Sequence, residues 1–363
     1  MAKQTAIPCM LMRGGTSKGA FFAFDDLPTD IETRDKVLLA VMGSPDKRQV
    51  DGLGGAHSLT TKVAMVRKSQ QAGVDLEFLF AQLQPEKNTV DTKPNCGNML
   101  AAVVPFALEK GLLSAQGETT TARVLTLNTG MLADITVQTP DGDVNYEGYA
   151  RVDGVPNPSA PIQIRFLDTE GSVCGSLLPT GNVKDSFEIA GFGQLDATCI
   201  DNGMPIVLVK AEDIKRTAYE SVSDLNSDET LKAILENLRL QAGIKMGLGD
   251  VKEKNYPKMC LVNAPINGGD IHTRCFIPHV CHEAIGVLAA VTIATACVME
   301  GSVANGLSQT DLTQNPNFTV EHPSGEFTVS LGFDEKGNVN SAALLRTARL
   351  LMKGEAMISN KIW

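Results

Sequence analysis

The chain has 363 residues, an apolar fraction of 43% and a net charge of −10, which describe a globular protein long enough for two domains. The negative charge argues against nucleic acids and anionic membrane surfaces as partners, although an anionic small molecule needs only a local cluster of cations. The 33 glycines and the aromatic content of 5% indicate many tight turns and a strand-rich fold.

Alternating or β-branched segments predict strands along the whole chain. These segments are 7–12, 20–24, 63–67, 76–83, 124–128, 135–138, 162–166, 197–201, 205–210, 260–263, 270–277 and 327–331. Few helices lie between them. Residues 33–42 predict one helix, and the amphipathic segment 228–241 predicts another that we expect to be exposed.

Two further helices are rich in small apolar residues and are predicted to begin near Cys96 and near His282. Pro105 should kink the first helix or make it irregular. The second lies within 284–299, which is shorter than the ~18 residues of a membrane span, so we interpret it as a buried helix.

The two halves of the chain repeat one order of elements: strands, a turn with Cys, Asn or His, a small-residue helix, and further strands. The polar turn 179–182 indicates the boundary between them. We therefore predict an N-terminal domain over residues 1–182 and a C-terminal domain over 183–363, with the last strand free to cross back. Two such halves would place both helix starts at a cleft, where ligand sites concentrate.

Cys96 lies in a turn directly before the first apolar helix. A thiol at a helix start is close to the positive end of the helix dipole and to unpaired N–H groups, which favour the thiolate and bind anions. The alternative is a buried, inert cysteine. The flanking Asn95, Gly97 and Asn98 are typical of a turn, so we predict a reactive thiol beside a carboxylate cradle.

Lys62 opens an apolar strand and has two interpretations. It is either an edge lysine whose ammonium reaches water or a general base, which must hold a neutral amine near pH 7. The preceding glycine-rich loop 51–58, which ends at Ser58, can bring backbone amides close to a ligand. This loop does not have the dinucleotide-binding pattern.

The segment 13–19 ends the first strand with glycines between Arg13, Thr16 and Ser17. It predicts an oxyanion-binding loop that lacks the residue order of a P-loop. A hairpin turn with solvated charges is the alternative.

Imidazole and thiol groups are concentrated in one segment, at His272, Cys275, His279, Cys281 and His282. We expect no metal there, because the spacing matches no zinc pattern and strand alternation puts His272 and Cys275 on opposite faces. Instead, we expect His279 or His282 to hydrogen-bond an anionic ligand at the second helix start. Arg274 is predicted to pair with a carboxylate.

The eight cysteines include no C-x-x-C pair, and the chain begins without a long apolar signal segment. Both observations favour a reduced, cytoplasmic protein over a disulfide framework.

Nine motifs spread over nearly the whole chain resemble the PrpF family of the diaminopimelate epimerase-like fold. They are 12–19, 51–55, 59–62, 94–98, 179–182, 201–205, 246–250, 278–282 and 321–325. Within the family, segments 42–46 and 80–82 make the chain most similar to the members that act on 4-oxalomesaconate.

The resemblance implies an α+β protein of two similar diaminopimelate epimerase-like domains. Each is a mixed or antiparallel sheet wrapped around a central helix, and the active site lies in the cleft between them. It implies no cofactor, and it puts the catalytic lysine and cysteine of the family on Lys62 and Cys96. The implied partner is a small polycarboxylate, with no nucleic acid and no membrane, and a homodimer is one option for assembly.

The implied reaction moves a C=C bond by 1,3-proton transfer in an unsaturated tricarboxylate. Proton removal leaves an extended enolate, which cations and helix N-termini stabilise. The first choice of substrate is 4-oxalomesaconate, and aconitate or methylitaconate are alternatives. An accessory protein of a methylcitrate dehydratase is a further alternative. A two-thiol racemase is less favoured because His282 and Glu283, rather than a glycine-rich turn, follow Cys281.

Overall fold

The computed structural model describes residues 4–152, 154–308, 310, 317–335 and 339–363. The chain divides into two compact units, of which the first comprises Met1–Leu167 with Leu344–Trp363 and the second Asp168–Ala343. The boundary predicted after residue 182 lies inside the second unit by this division, and the domain limits stay a prediction. None of the helices in the described ranges is long and apolar enough to cross a membrane.

Strands dominate both units. The strands are β1 (Gln4–Gly14), β2 (Ser17–Ala23), β3 (Lys62–Lys68), β4 (Leu76–Leu83), β5 (Val90–Asp91), β6 (Thr119–Thr126), β7 (Met131–Gln138), β8 (Ile162–Phe166), β9 (Asp185–Ile189), β10 (Gly193–Asp201), β11 (Pro205–Lys210), β12 (Lys258–Asn263), β13 (Ile271–Phe276), β14 (Asn317–His322), β15 (Gly325–Phe333), β16 (Val339–Arg346) and β17 (Ala348–Ser359). The helices are α1 (Ile31–Met42), α2 (Gly97–Leu100), α3 (Val103–Lys110), α4 (Val222–Ser227), α5 (Glu229–Lys245) and α6 (Val287–Val298).

The two units share one topology. In the first unit the strands pair in the order β17, β1, β2, β3, β4, β6, β7, β8, and only β2–β3 and β4–β6 are parallel. In the second unit the order is β9 to β15, and only β11–β12 and β13–β14 are parallel. Each parallel pair requires a crossover. The crossovers contain α1 and then α2 with α3 in the first unit, and α4 with α5 and then α6 in the second.

Each unit buries the helix of its second crossover. Every side chain of α6 from Ala289 to Cys297 is buried, and so are those of α3 from Val103 to Ala107. Neither stretch contains a charged residue, so these helices are stable only inside a sheet that covers them on all sides. The predicted buried helix in the second half is therefore confirmed.

The amphipathic helix of the second unit, α5, packs one face against its sheet. Leu231, Leu235 and Leu238 join a cluster with Met259 and Leu261 of β12. The expectation that this helix is exposed is thus wrong for its apolar face, because its leucines recur at helical spacing and cover the sheet.

The predicted start of the first small-residue helix near Cys96 is confirmed, and the predicted start of the second near His282 is wrong. The first helix is divided at residues 101–102, and Pro105 lies inside the first turn of α3, where its missing N–H is tolerated. The second helix begins at Val287 rather than near His282. The N–H of His282 donates to the carbonyl of Cys275, and its Nδ1 accepts from the N–H of Ala284, which holds this segment in a turn.

Candidate active site

Cys96 is the residue that immediately precedes α2 and caps it. Its backbone is extended, at φ −139° and ψ 98°, and its N–H donates to Asn95 Oδ1 at 2.8 Å. Its carbonyl accepts the first helical hydrogen bond from the N–H of Leu100 at 3.0 Å. The thiol is half-buried and has no hydrogen-bond partner among the described residues. Cys96 therefore lies directly at a helix start, as the sequence predicts.

The β1–β2 hairpin turn packs directly on this helix start. A Cβ added to Gly14 would lie 2.3 Å from the carbonyl oxygen of Asn98, and one added to Gly15, at φ +49°, would lie 2.2 Å from Asn98 Oδ1. Asn98 Nδ2 donates to Thr16 Oγ1 at 2.9 Å. The glycines of the predicted oxyanion loop thus allow the turn to approach α2, and they bring Thr16 to Asn98.

Ser17 follows this turn as the first residue of β2. Its side chain is only 1% exposed, and its Oγ has no hydrogen-bond partner in the described part of the chain. Buried hydroxyl groups in proteins are almost always satisfied by protein, water or ligand. This hydroxyl is therefore a candidate ligand-binding group at the same end of the unit as Asn98.

Lys62 is held in place at the start of β3. Its side chain is 7% exposed, and Nζ donates to Gln82 Oε1 at 2.5 Å and lies 5.0 Å from the centre of the Phe80 ring. Gln82 is the register partner of Lys62 on β4. Its Nε2 donates to the carbonyls of Ser58, Thr61 and Leu83, which fixes the amide orientation.

Sequence reasoning did not single out Phe80 or Gln82 as site residues. The available signal is that both alternate along β4 on the face that Lys62 occupies on its neighbour. Ser58 itself is exposed, and its carbonyl is what contacts Gln82.

Gly19 lies where the elements that carry Lys62 and Cys96 meet. A Cβ at this position would lie 2.3 Å from the carbonyl oxygen of Lys62 and 2.6 Å from Met99 Cε, in the first helical turn after Cys96. The start of β3 and the start of α2 therefore both touch β2 at one glycine. The amine and the thiol are carried by elements that meet there.

Arg13 uses its guanidinium within the protein. Nη1 donates to the carbonyl of Gly15 and to Thr347, and Nη2 donates to Ser159 Oγ at 3.1 Å. Burial, together with the nearby Arg349, lowers its pKa. These bonds brace the hairpin turn, and the predicted contact of Arg13 with substrate stays a prediction.

Arg274 belongs to a buried chain of polar groups in the second unit. Its Nη1 lies 2.6 Å from His272 Nε2, and its Nε donates to the carbonyl of Glu220 at 3.1 Å. His272 Nδ1 lies 2.7 Å from a carboxylate oxygen of Glu321, and burial lowers the pKa of this histidine. Burial also lowers the pKa of Arg274. Its predicted pairing with a ligand carboxylate stays a prediction.

The structure does not bring the remaining histidines to the second helix start. His279 is exposed, and its Nδ1 lies 3.6 Å from a carboxylate oxygen of Glu236 on α5. His282 lies in the turn that precedes Gly286, the residue that caps α6. Their predicted position at the helix start is therefore wrong. Within the described ranges, no group of three or more His, Cys, Asp or Glu side chains is arranged to hold a metal ion.

Comparisons with known proteins agree with this architecture. Residues 4–359 match the sequence profile of the PrpF protein family. The 4-oxalomesaconate tautomerase of Pseudomonas putida is 53% identical, over 99% of this chain and 98% of the relative. The crystal structure of methylitaconate-delta-isomerase is similar with a TM-score of 0.89 at 33% identity, over 99% of this chain and 97% of that one. A hydroxyproline epimerase from Agrobacterium vitis shares the fold, with a TM-score of 0.51 at 13% identity over 98% and 93% of the chains.

The protein has the diaminopimelate epimerase-like fold, with two α+β units of one topology that each surround a buried helix. It is an isomerase, as its relatives are. The chain belongs to the PrpF family.

Proposed function

We propose that the protein is a 4-oxalomesaconate tautomerase in which Lys62 and Cys96 transfer the proton. The tautomerase from Pseudomonas putida supplies the substrate class, since it is similar over nearly the full length of both chains. The observation that carries the proposal is the fixed amine of Lys62 on β3, with β3 and α2 both in contact with Gly19.

The reaction conserves every atom of the substrate. A base takes a proton from the carbon next to the conjugated system, and the electron pair spreads into an enolate. A proton returns to the carbon at the far end of the allylic unit, so the double bond moves by one position. A positioned general acid or base accelerates such steps by about 10²- to 10⁴-fold.

Lys62 is the main base in this proposal. The hydrogen bond from Nζ to Gln82 Oε1 uses one N–H and fixes the position of the nitrogen that takes the substrate proton. Cys96 is the partner that returns the proton or orients the intermediate. Cys96 caps α2, and the N–H groups of a helix start stabilise negative charge.

The groups around α2 supply the anion binding that the enolate requires. Ser17 Oγ has no partner among the described residues, and Asn98 is fixed by Thr16. Preorganised donors of this kind are the largest single contribution in many enzymes that form oxyanions. The chemistry needs no cofactor. We place the enzyme in the cytoplasm because its eight cysteines are free thiols.

Methylitaconate is the second candidate substrate. The solved methylitaconate-delta-isomerase is similar over nearly all of this chain, and its name describes an isomerase that acts on methylitaconate. The same base and acid would serve, because that substrate also contains an allylic proton beside a carboxylate.

Proton NMR in deuterated water decides between these substrates. The purified protein is incubated separately with 4-oxalomesaconate, methylitaconate and cis-aconitate, and the vinyl and methylene signals are followed. We expect rapid double-bond movement with deuterium incorporation for 4-oxalomesaconate. Turnover of another substrate with none for 4-oxalomesaconate would contradict the proposal. Absence of turnover for all three would contradict isomerase activity on this class.

A further inference from the structure

In the first unit, the aromatic ring of Phe80 contacts the amine of Lys62. Lys62 Nζ lies over this ring, 5.0 Å from its centre, which is within the range of a cation–π contact. Phe80 is 1% exposed and Lys62 is 7% exposed, so water has little access to the contact. An ammonium gains more from an aromatic face in such surroundings than it does at the protein surface.

The strand register places this ring beside the lysine. On β4, Phe80 is opposite Ala64 of β3, and Lys62 is two residues before Ala64. Diagonal neighbours of this kind share one face of the sheet and are within reach of aromatic and long side chains. The methyl group of Ala64 occupies little of that face, so the lysine can extend over the ring.

The side chain of Asn128 fixes the backbone of Phe80. Asn128 Oδ1 accepts from the N–H of Phe80 at 2.9 Å, and Asn128 Nδ2 donates to the carbonyl of Phe80 at 2.8 Å. These bonds take over from the pairing of β4 with β6, which ends at Phe78 opposite Thr126. The ring of Phe80 is therefore carried by a backbone that stays hydrogen-bonded beyond the end of the neighbouring strand.

No carboxylate pairs with Lys62 in the part of the chain that the structure describes. Its Nζ donates to the neutral side chain of Gln82 and lies over the ring of Phe80. The one carboxylate of β4, that of Glu77, is bound by Arg67. Neutral groups therefore stabilise the protonated lysine.

Few other titratable groups lie near this end of β3. They are the thiol of Cys96, the exposed imidazole of His57 and, on the opposite face of β2, the amine of Lys18. The charges of α3 are at its far end and are neutralised there, so they do not replace the ring as a partner of the lysine. These ion pairs join Glu109 to Lys353 and Lys110 to Asp26.

An aromatic face suits a site for a polyanion better than a carboxylate does. Once the lysine has taken a proton from the substrate, its ammonium needs stabilisation in a place that water hardly reaches. A carboxylate would provide it, but its charge would repel the carboxylates of an unsaturated tricarboxylate. The quadrupole of a ring attracts the cation and adds no net charge.

We propose that Phe80 stabilises the protonated form of Lys62 through the face of its ring and so takes the place of a counter-ion. This inference rests on the proposed function for the role of Lys62 as the base and for the charge of the substrate. It makes Phe80 a positioning residue that acts through Lys62 and sets the pH range of activity.

The test compares Phe80→Leu with the matched control Phe78→Leu. Phe78 is also a fully buried phenylalanine of β4, but its register partner is Val66, four residues beyond Lys62. Both changes remove a buried ring, so the control carries the cost of lost packing.

Turnover of 4-oxalomesaconate is measured as kcat/KM over the pH range in which each protein stays folded. We expect the acidic limb of Phe80→Leu to move to lower pH by about 0.5–1 unit, because the ammonium has lost the ring. The acidic limb of Phe78→Leu should coincide with that of the wild type.

Fluorinated phenylalanine separates the electrostatic effect from packing. Fluorine withdraws electron density from the ring face and changes the shape of the side chain little, so pentafluorophenylalanine at position 80 should shift the acidic limb in the same direction. The same replacement at position 78 is the control. These two proteins decide the question if Phe80→Leu does not fold. Acidic limbs that coincide for the replacements at positions 80 and 78 would overturn the inference.

Failure of the proposed function is recognised separately. Carbon NMR of protein labelled at the lysine Cε follows the titration of Lys62 without substrate, and the signal that Lys62→Met lacks is its assignment. A wild type that does not turn over 4-oxalomesaconate would make the substrate assignment wrong. A titration midpoint that falls in Phe80→Leu but not in Phe78→Leu would support the role of Phe80 even then, and equal midpoints would overturn it.

Discussion

The amide of Gln82 determines how Lys62 is presented to a ligand. Gln82 Oε1 accepts from Lys62 Nζ, and Gln82 Nε2 is committed to three backbone carbonyls, so the amide cannot rotate without losing bonds. The glutamine therefore fixes the direction of the lysine nitrogen, and in the proposed mechanism it is a positioning residue that acts through Lys62.

We expect Gln82→Leu to reduce kcat with a small effect on KM. The change keeps the approximate volume but removes the acceptor, and misplacement of a catalytic group by about 1 Å can cost about 10²-fold in rate. Steady-state kinetics at several pH values measure this, with Gln163→Leu on the exposed side of β8 as the control. Equal kcat values for Gln82→Leu and the control would show that Lys62 does not depend on this amide.

The proposed catalytic residues Lys62 and Cys96 could be selected from the sequence, and the residues that hold them in place could not. Lys62 and Cys96 lie in short motifs with recognisable glycine and asparagine neighbours. Gln82 lies in an ordinary-looking strand, and its role follows only from the antiparallel register of β3 and β4.

Among the secondary-structure elements, β2 contacts both β3 and α2 at Gly19. Gly19 leaves no room for a side chain between the carbonyl of Lys62 and Met99. The approach of these elements is thus set by a missing Cβ, and the distance between the amine and the thiol depends on it.

We expect Gly19→Ala to lower activity and the free energy of unfolding together. The added methyl group must displace backbone atoms of β3, and overpacking of this kind costs about 1–3 kcal/mol. Chemical denaturation and kcat measure the two effects. The matched control is Gly354→Ala on β17, whose added Cβ would meet only Met352 Sδ, at 3.4 Å. A fully active and stable Gly19→Ala protein would contradict the close approach.

A bidentate carboxylate ties three neighbouring strands of the first unit together. Asp134 on β7 accepts hydrogen bonds from Arg123 on β6 and from Arg165 on β8. The hydrogen bond from Arg123 is the main reason that the pKa of Asp134 lies below its ordinary value of 3.8, although partial burial opposes this. The Asp134 carboxylate therefore stabilises the fold at pH values at which the same residue is also ionised in the unfolded chain.

The sign of the resulting pH dependence follows from linkage. Because the folded pKa is the lower one, the stabilisation is fully present above the ordinary pKa and is lost as the pH falls through the folded pKa. We expect Asp134→Asn to be less stable than the wild type at pH 7 and to approach it as the pH falls below about 4. Urea unfolding at a series of pH values measures the difference. A difference that is constant from neutral to acidic pH would contradict the ion-pair origin.

The start of α6 and the division of the first small-residue helix were less predictable than the strands because they depend on local hydrogen bonds. Helix α6 begins at Val287 rather than near His282, because the backbone N–H and the ring of His282 form hydrogen bonds with Cys275 and Ala284 in a turn. The division between α2 and α3 at residues 101–102 lies within an uninterrupted apolar run, so no composition change marks it. Strand positions could be predicted from the alternation of apolar and polar residues, and this pattern is recognisable even when a predicted strand end is a few residues in error.

For the whole molecule, the sequence left the last strand free to cross back, but its patterns did not identify the segment that does so. β17 is antiparallel to β1 along the full length of β1, from Gln4 opposite Ser359 to Gly14 opposite Ala348. Its sequence alternates weakly because most of its side chains are exposed, and so it was not predicted as a strand. The repeat of two units was predictable, since both halves carry the same order of strands and small-residue helix.

We expect deletion of residues 348–363 to destabilise the first unit and to cause aggregation. The deletion removes the partner of β1 and leaves that edge without its hydrogen bonds. Deletion of residues 360–363 alone is the control, because those residues follow β17. Thermal unfolding and size-exclusion chromatography measure both proteins. A monomeric, cooperatively folded protein without residues 348–363 would contradict the role assigned to β17.

The central claim is that the amine of Lys62 removes the substrate proton, and solvent exchange tests it most directly. Lys62→Met is incubated with 4-oxalomesaconate in deuterated water, and proton NMR measures the rate at which deuterium enters the methylene position, beside the wild type and Cys96→Ser. We expect exchange in Lys62→Met to fall by about 10²- to 10⁴-fold, the usual contribution of a positioned base. Exchange at the wild-type rate in folded Lys62→Met would contradict it.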